Sequence, residues 1–493
     1  MKLIYPMKLI YQIGRLDPNF DRLLQFIIGD SFSCETSLSG YALKSYFHSL
    51  QMASALKLIF PVSLLFQKNV SEKRKDLTIA RTIEEILKDP QGYLSNPHAY
   101  FKEHPHLPLA EDFEVIHSVG TYEGLSFLAT LDHLVLEIFI KMWEDIFAGK
   151  DLSSSQLPPQ DLEIYLDISG GHNIYNSALL EAGRFFLTIL KLMLLHEREH
   201  LPKVFIAFSE PITNRVGPYH IYKDYELKAL VFFSMPERPT QYTLKNAFST
   251  NIVKPLFQAF AIEDSELKAR INELLSRAYF FYSALKNNAP LVLYQWEYDD
   301  LSTIYETINK FVEAIKKKLR EDYVKPIDFD LSLLRKFFPM LALYIGMINL
   351  FRKYGITKRE AVSLSELSNT FADEKNSLYH LLGLSANIPY LRHELNRNFY
   401  YNLHSQASRG STSEFSPLKI YFAKLQEASG ESALSEKGEV EENLEKRNFF
   451  AHCGFERNIT EVKREGEQIL LRYAESYANR RVSKIIEQYL LSS

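Results

Sequence analysis

Cysteine is nearly absent: Cys34 and Cys453 are the only two in 493 residues. Two thiols so far apart exclude a disulfide framework and a cysteine-rich zinc site. A secretory signal is also missing, so the chain reads as an intracellular, cytoplasmic protein in a reducing compartment. There is no basic excess. Lys+Arg total 57 against Asp+Glu 61, a formal net charge of −4. That excludes a general polyanion coat-binder and leaves room for a small basic cleft that holds RNA briefly. No apolar run is read as long enough to span a bilayer; residues 127–140 are interrupted by Asp132, His133 and Glu137 and predict a buried amphipathic helix, with no membrane partner. There is no Walker loop, no G-x-S-x-G elbow and no G-x-G-x-x-G fingerprint, so NTP hydrolysis, acyl transfer and dinucleotide redox lack support.

What is present is globular: 46% hydrophobic and 24% charged residues, enough for two or three domains with ample core. The start repeats itself, Met1-Lys2-Leu3-Ile4-Tyr5 and then Met7-Lys8-Leu9-Ile10-Tyr11, which makes Met7 a candidate natural start. The first part reads α/β. Strands are expected at 9–13, 113–118, 162–168 and 203–208, with a further apolar run at 58–66. Helices are expected at 41–56, 78–87, 125–147 and 175–197. Strands alternating with helices imply a parallel sheet covered on both faces. After about residue 240 the pattern becomes helical, at 262–285, 302–319, 331–354 and 482–491, with 291–296 the exceptional strand candidate. Segments 151–160, 405–416 and 429–445 read as loops.

Two stretches carry chemistry. Asp167-Ile168-Ser169-Gly170-Gly171-His172-Asn173 leaves a buried strand and opens a helix. Ligands of open α/β sheets bind at such carboxyl ends, glycines let backbone approach them, and the first helical amides face anions. The alternative is a purely structural turn. The loop 14–39 after the first strand, beginning at Gly14, would fall on the same edge. The second stretch is Glu445-Lys446-Arg447-Asn448-Phe449-Phe450-Ala451-His452-Cys453-Gly454. Arg447 and His452 stand about 140° apart around a helix, a poor pair alone. Two copies facing across a dimer would line one cleft with two guanidinium groups, which hold phosphate, and two imidazoles, which move protons near neutral pH. The bland alternative is a structural histidine on an amphipathic helix.

LDISGGHN resembles the turn of CARF domains (CRISPR-associated Rossmann folds), and RNFFAHCGFERN resembles the Arg-x4-6-His motif of HEPN ribonuclease domains. In this order they resemble the Csm/Csx accessory ribonucleases of type III CRISPR systems. The resemblance implies an N-terminal Rossmann-like CARF domain with a parallel-rich sheet at 7–240, a helical linker at 241–330 and an all-α HEPN domain at 331–493. It implies a homodimer, or an assembly of dimers, that binds cyclic oligoadenylate (the tetra-adenylate by family habit) and cuts single-stranded RNA without a metal or cofactor. Ser169, Gly170, Gly171, His172 and Asn173 would then contact the cyclic nucleotide, with Gly14 as a further partner. Arg447, Asn448 and His452 would carry the cleavage. His172 departs from the family pattern by adding bulk beside the glycines. The competing class is a non-catalytic cyclic-nucleotide sensor that acts through a partner or nucleic acid.

Three further signals compete. Arg397 and His404 also fit Arg-x6-His, without the Ala-His-Cys-Gly continuation. His196-Glu197-Arg198-Glu199-His200 fits the H-E-x-x-H zinc pattern but ends its helix just before Pro202. Lys316, Lys317, Lys318 and Arg320 read as a solvated helix end, or as a guide for RNA.

Overall fold

The computed structural model describes residues 8–19, 22–74, 78–148, 162–170, 173–197, 201–211, 218–396, 414–420, 442–466 and 468–493, without the side chains of 442–444. The chain divides into two compact units. The first runs to Val231 and adds Leu256–Asp264 and Tyr305–Arg335; the second comprises Phe232–Pro255, Ser265–Ile304 and Lys336–Ser493.

The first unit is built on an eight-stranded sheet. Its strands are β1 (Lys8–Ile13), β2 (Leu24–Ile28), β3 (Phe32–Thr36), β4 (Ser54–Pro61) and β5 (Asp112–Ile116). A separate hairpin, β6 (Val119–Tyr122) and β7 (Leu125–Leu128), follows; then β8 (Glu163–Asp167), β9 (Lys203–Ser209) and β10 (Tyr219–Glu226) complete the sheet. The order is β3-β2-β10-β9-β8-β1-β4-β5. From β5 to β9 every pairing is parallel. All six residues of the central β1 are buried, as a strand covered on both faces must be. Helices Ser39–Ser49, Leu131–Phe147 and Asn173–Met193 lie among the crossovers. Because β4 and β8 flank β1, the strand order reverses direction between β1 and β8. Such a reversal opens a crevice at the carboxyl ends of those two strands.

Several elements differ from the sequence reading. The expected loop 14–39 contains the β2–β3 hairpin, whose strand β2 alternates buried and outward residues. The helix expected over 41–56 stops at Ser49; Gln51 turns the chain at φ 59, and Ser54 begins β4. The helix expected over 125–147 begins only at Leu131. Glu123 and Gly124 hold positive φ in the hairpin turn before it, and Thr130 with His133 caps the helix. The strand candidate 291–296 is helical over Val292–Gln295, where a short, largely buried run carries no period.

The second unit is helical around Ser265–Lys286, the greater part of Leu331–Lys353, and Val482–Leu491. Phe281 of the first helix stacks on Tyr344 and meets Phe351 edge-on. The unit also carries a small antiparallel sheet that the expectation of an all-α region omits: β11 (Val362–Ser363), β14 (Gln468–Tyr473), β13 (Thr460–Glu465) and β12 (Ser416–Pro417), in that order. Leu331–Lys353 corrects another expectation. It is long and apolar enough to cross a membrane, yet most of it is buried within the protein, as in a core helix.

Candidate ligand turn and candidate nuclease site

Register places Gln12 of β1 beside Asp167, the last residue of β8. Asp167 is fully buried, which pushes its carboxyl above the usual range, against hydrogen bonds from Ser169 and Ser39 that pull the other way. The Ser169 amide and hydroxyl both donate to Asp167 Oδ1, at 2.9 and 2.5 Å. Ser39, the first residue of its helix, donates to Asp167 Oδ2 at 2.6 Å and accepts from Gln12 Nε2 at 3.0 Å. One buried carboxylate therefore ties together the two turns that border the crevice. Ser209 of β9 adds a third tie by donating its amide to Ser169 Oγ at 2.8 Å. Asp167, Gln12 and Ser39 were not among the expected site residues. A lone acid ending an apolar strand was the available signal for Asp167; the other two depend on register.

The expected ligand residues separate by environment. Gly14 is buried, and a Cβ there would lie 2.1 Å from the Phe60 ring, so its glycine serves packing. Gly170 is half-buried, and among the described residues an added Cβ would find only Gln12 Nε2, at 3.8 Å. Backbone is thus open to a ligand at Gly170. Asn173 is exposed at the first position of its helix, while Gly171 and His172 lie outside the described residues. Arg15, just beyond β1, donates to the Ser37 carbonyl at 2.9 Å, and its buried Nε has no hydrogen-bond partner among the described residues. Burial lowers its pKa.

In the second unit Arg447, Asn448 and the buried Phe449 belong to the helix Glu442–Ala451. His452 follows that helix directly; its amide still donates to the Asn448 carbonyl at 3.0 Å. Cys453 and Gly454 then adopt positive φ, 53 and 81, and the Gly454 amide closes back on the Phe449 carbonyl at 2.8 Å. Glycine suits that left-handed position, and Ala289 Cα would lie 3.1 Å from a Cβ at Gly454. This stop fixes His452 at the helix end. Arg447 is exposed and Asn448 half-buried. The His452 ring, 34% exposed, meets Glu394 Oε2 through Nδ1 at 3.3 Å. Burial pushes the neighbouring Cys453 thiol up to about 12, with the Glu394 charge adding to it. A cleft of about 800 Å³ in the same unit is lined by Trp296, Tyr473, Arg277 and others, but by neither Arg447 nor His452.

The family model described as CRISPR system endoribonuclease Csx1, CARF domain, matches residues 8–211, and that described as CRISPR system endoribonuclease Csx1, HEPN domain, matches residues 384–475. The chain belongs to the CARF–HEPN accessory ribonucleases of CRISPR systems. The CARF match spans β1 to β9 and so includes the crevice. The HEPN match begins just ahead of the helix Asn387–Leu395, which bears Glu394, and includes Arg447 and His452. No curated protein matches the chain.

The CARF–HEPN chain ends the helix Asn173–Met193 before His196 and Glu197, so neither stands on that helix; His200, the expected face partner of His196, lies outside the described residues. Arg397 and His404 also lie outside them. Lys316 and Arg320 pair with Glu114, and Lys318 pairs with Glu321, so these cations are engaged within the first unit.

Proposed function

We propose that this protein is a cyclic-oligoadenylate-activated endoribonuclease that cuts single-stranded RNA without a metal in type III CRISPR defence. The observation that carries the reading is the coexistence of two features in one chain: an open glycine turn at a Rossmann switch point, and an exposed arginine with a partly exposed histidine at a helix end. In the first unit, Ser169, Gly170, Gly171, His172 and Asn173 face the cyclic nucleotide, most simply the tetra-adenylate. Gly14 supports the turn from within, and Arg15 supplies the cation on that edge. In the second, Arg447, Asn448 and His452 act on RNA in a homodimer that joins two copies of the motif. Function divides along the chain into sensor (7–240), linker (241–330) and nuclease (331–493).

RNA supplies its own nucleophile. The 2′-oxygen bonds to the adjacent phosphorus while the P–O5′ bond breaks. An imidazole takes the 2′-hydroxyl proton, and a proton is returned to the departing 5′-oxygen. The products are a 2′,3′-cyclic phosphate and a 5′-hydroxyl. His452 is suited to the proton transfer, Arg447 to the phosphate and its developing charge, and Asn448 to orienting either.

A fluorescent single-stranded RNA in EDTA, with and without each cyclic oligoadenylate, tests the reading. Cleavage that depends on one ring size supports it. Ligand binding with no cleavage under any condition favours the non-catalytic sensor instead.

A further inference from the structure

The carboxylate opposite His452 has no part in the scheme above. Glu394 lies near the end of the helix Asn387–Leu395 and is 8% exposed. Its Oε2 stands 3.3 Å from His452 Nδ1, while Nε2 makes no hydrogen bond among the described residues. The separation is held by other contacts. Asn387 donates to the Leu285 carbonyl, and Asn288 donates both to the Asn387 carbonyl at 3.0 Å and to Cys453 Sγ at 3.1 Å. One asparagine thus links the start of the Glu394 helix to the residue beside His452. The Glu394–His452 pair sits in a frame that it does not itself create.

We propose that Glu394 is a positioning residue for His452; this rests on the nuclease reading above. A carboxylate accepting from Nδ1–H holds the neutral ring in the tautomer that leaves the Nε2 lone pair for the 2′-hydroxyl proton. It also offsets the charge of the imidazolium formed as that proton arrives. Without it, the ring distributes between tautomers, and the form with hydrogen on Nε2 cannot accept.

Glu394→Ala and Glu394→Gln, with His452→Ala alongside, decide the matter. Single-turnover cleavage, RNA affinity and the ¹⁵N shifts of the His452 ring are measured on the full-length, activator-bound protein. Glu394→Ala is expected to slow cleavage about 100-fold, with RNA affinity changed less than about threefold. It should also move the ring nitrogen shifts towards a mixed tautomer. Glu394→Gln, which keeps an acceptor oxygen, is expected to recover about tenfold of that loss. Unchanged ring shifts in Glu394→Ala overturn the proposal, as does a Glu394→Gln variant no faster than the alanine variant. Full activity of His452→Ala would sink the nuclease reading instead, and the ring shifts of Glu394→Ala would still report on the contact itself.

Discussion

At the scale of single residues, the two glycines expected to meet a ligand make opposite predictions. Gly14→Ala drives a methyl into the buried Phe60 ring and should cost about 1–3 kcal/mol of stability. Gly170→Ala meets only an ordinary van der Waals contact with Gln12 among the described residues and should change stability by less than about 0.5 kcal/mol, yet weaken cyclic oligoadenylate binding. Thermal melts beside calorimetric titration separate the two effects. His452→Ala should lower cleavage about 10²–10⁴-fold while RNA binding persists, as measured by rate and by anisotropy. The Cys453 thiol, pushed up to about 12 by burial, should resist alkylation at pH 8 in the native protein and react on unfolding; rapid native labelling at this position would contradict the buried setting.

At the scale of elements, the end of the helix Glu442–Ala451 depends on Gly454. Gly454→Ala puts a side chain at φ 81 against Ala289 and should lower both melting temperature and cleavage, because the same turn seats His452. A second element-level prediction concerns Glu114 on β5. Burial alone would raise its pKa, but the His98 hydrogen bond and the Lys316 and Arg320 charges hold it well below the ordinary 4.5. A depressed carboxylate contributes stability above its unfolded pKa and loses that contribution as pH falls towards the folded value. Glu114→Ala should therefore cost about 3 kcal/mol near neutral pH, and its deficit against the parent should shrink below about pH 4.5. Melts across pH 7 to 3 check this; a deficit that stays constant would count against the ion-paired assignment. The expected reading of Lys316 and Arg320 as a solvated end missed Glu114, because partners about two hundred residues away leave no local pattern.

At the scale of the whole molecule, a cleavage site built from two copies of Arg447 and His452 requires association. Specific activity should fall on dilution in step with the loss of dimer, followed by cleavage rate and mass photometry over the same concentrations. Constant specific activity in a monomeric sample would end the composite-site reading. The sequence alone predicts the alternation of strands and helices in the first unit, the helical character of the second, and the two motifs, because hydrophobic period and local residue chemistry act over short spans. It did not determine the β2–β3 hairpin, the small sheet around β13 and β14, or the helix at Val292–Gln295, where short or non-periodic segments take their form from what they pack against. That Gly14 packs against Phe60, that Asp167 binds two turns together and that Glu394 meets His452 emerges only in the folded chain. Each depends on atoms brought close by register and crossing helices, and distances of that kind are not written in any neighbouring stretch of chain.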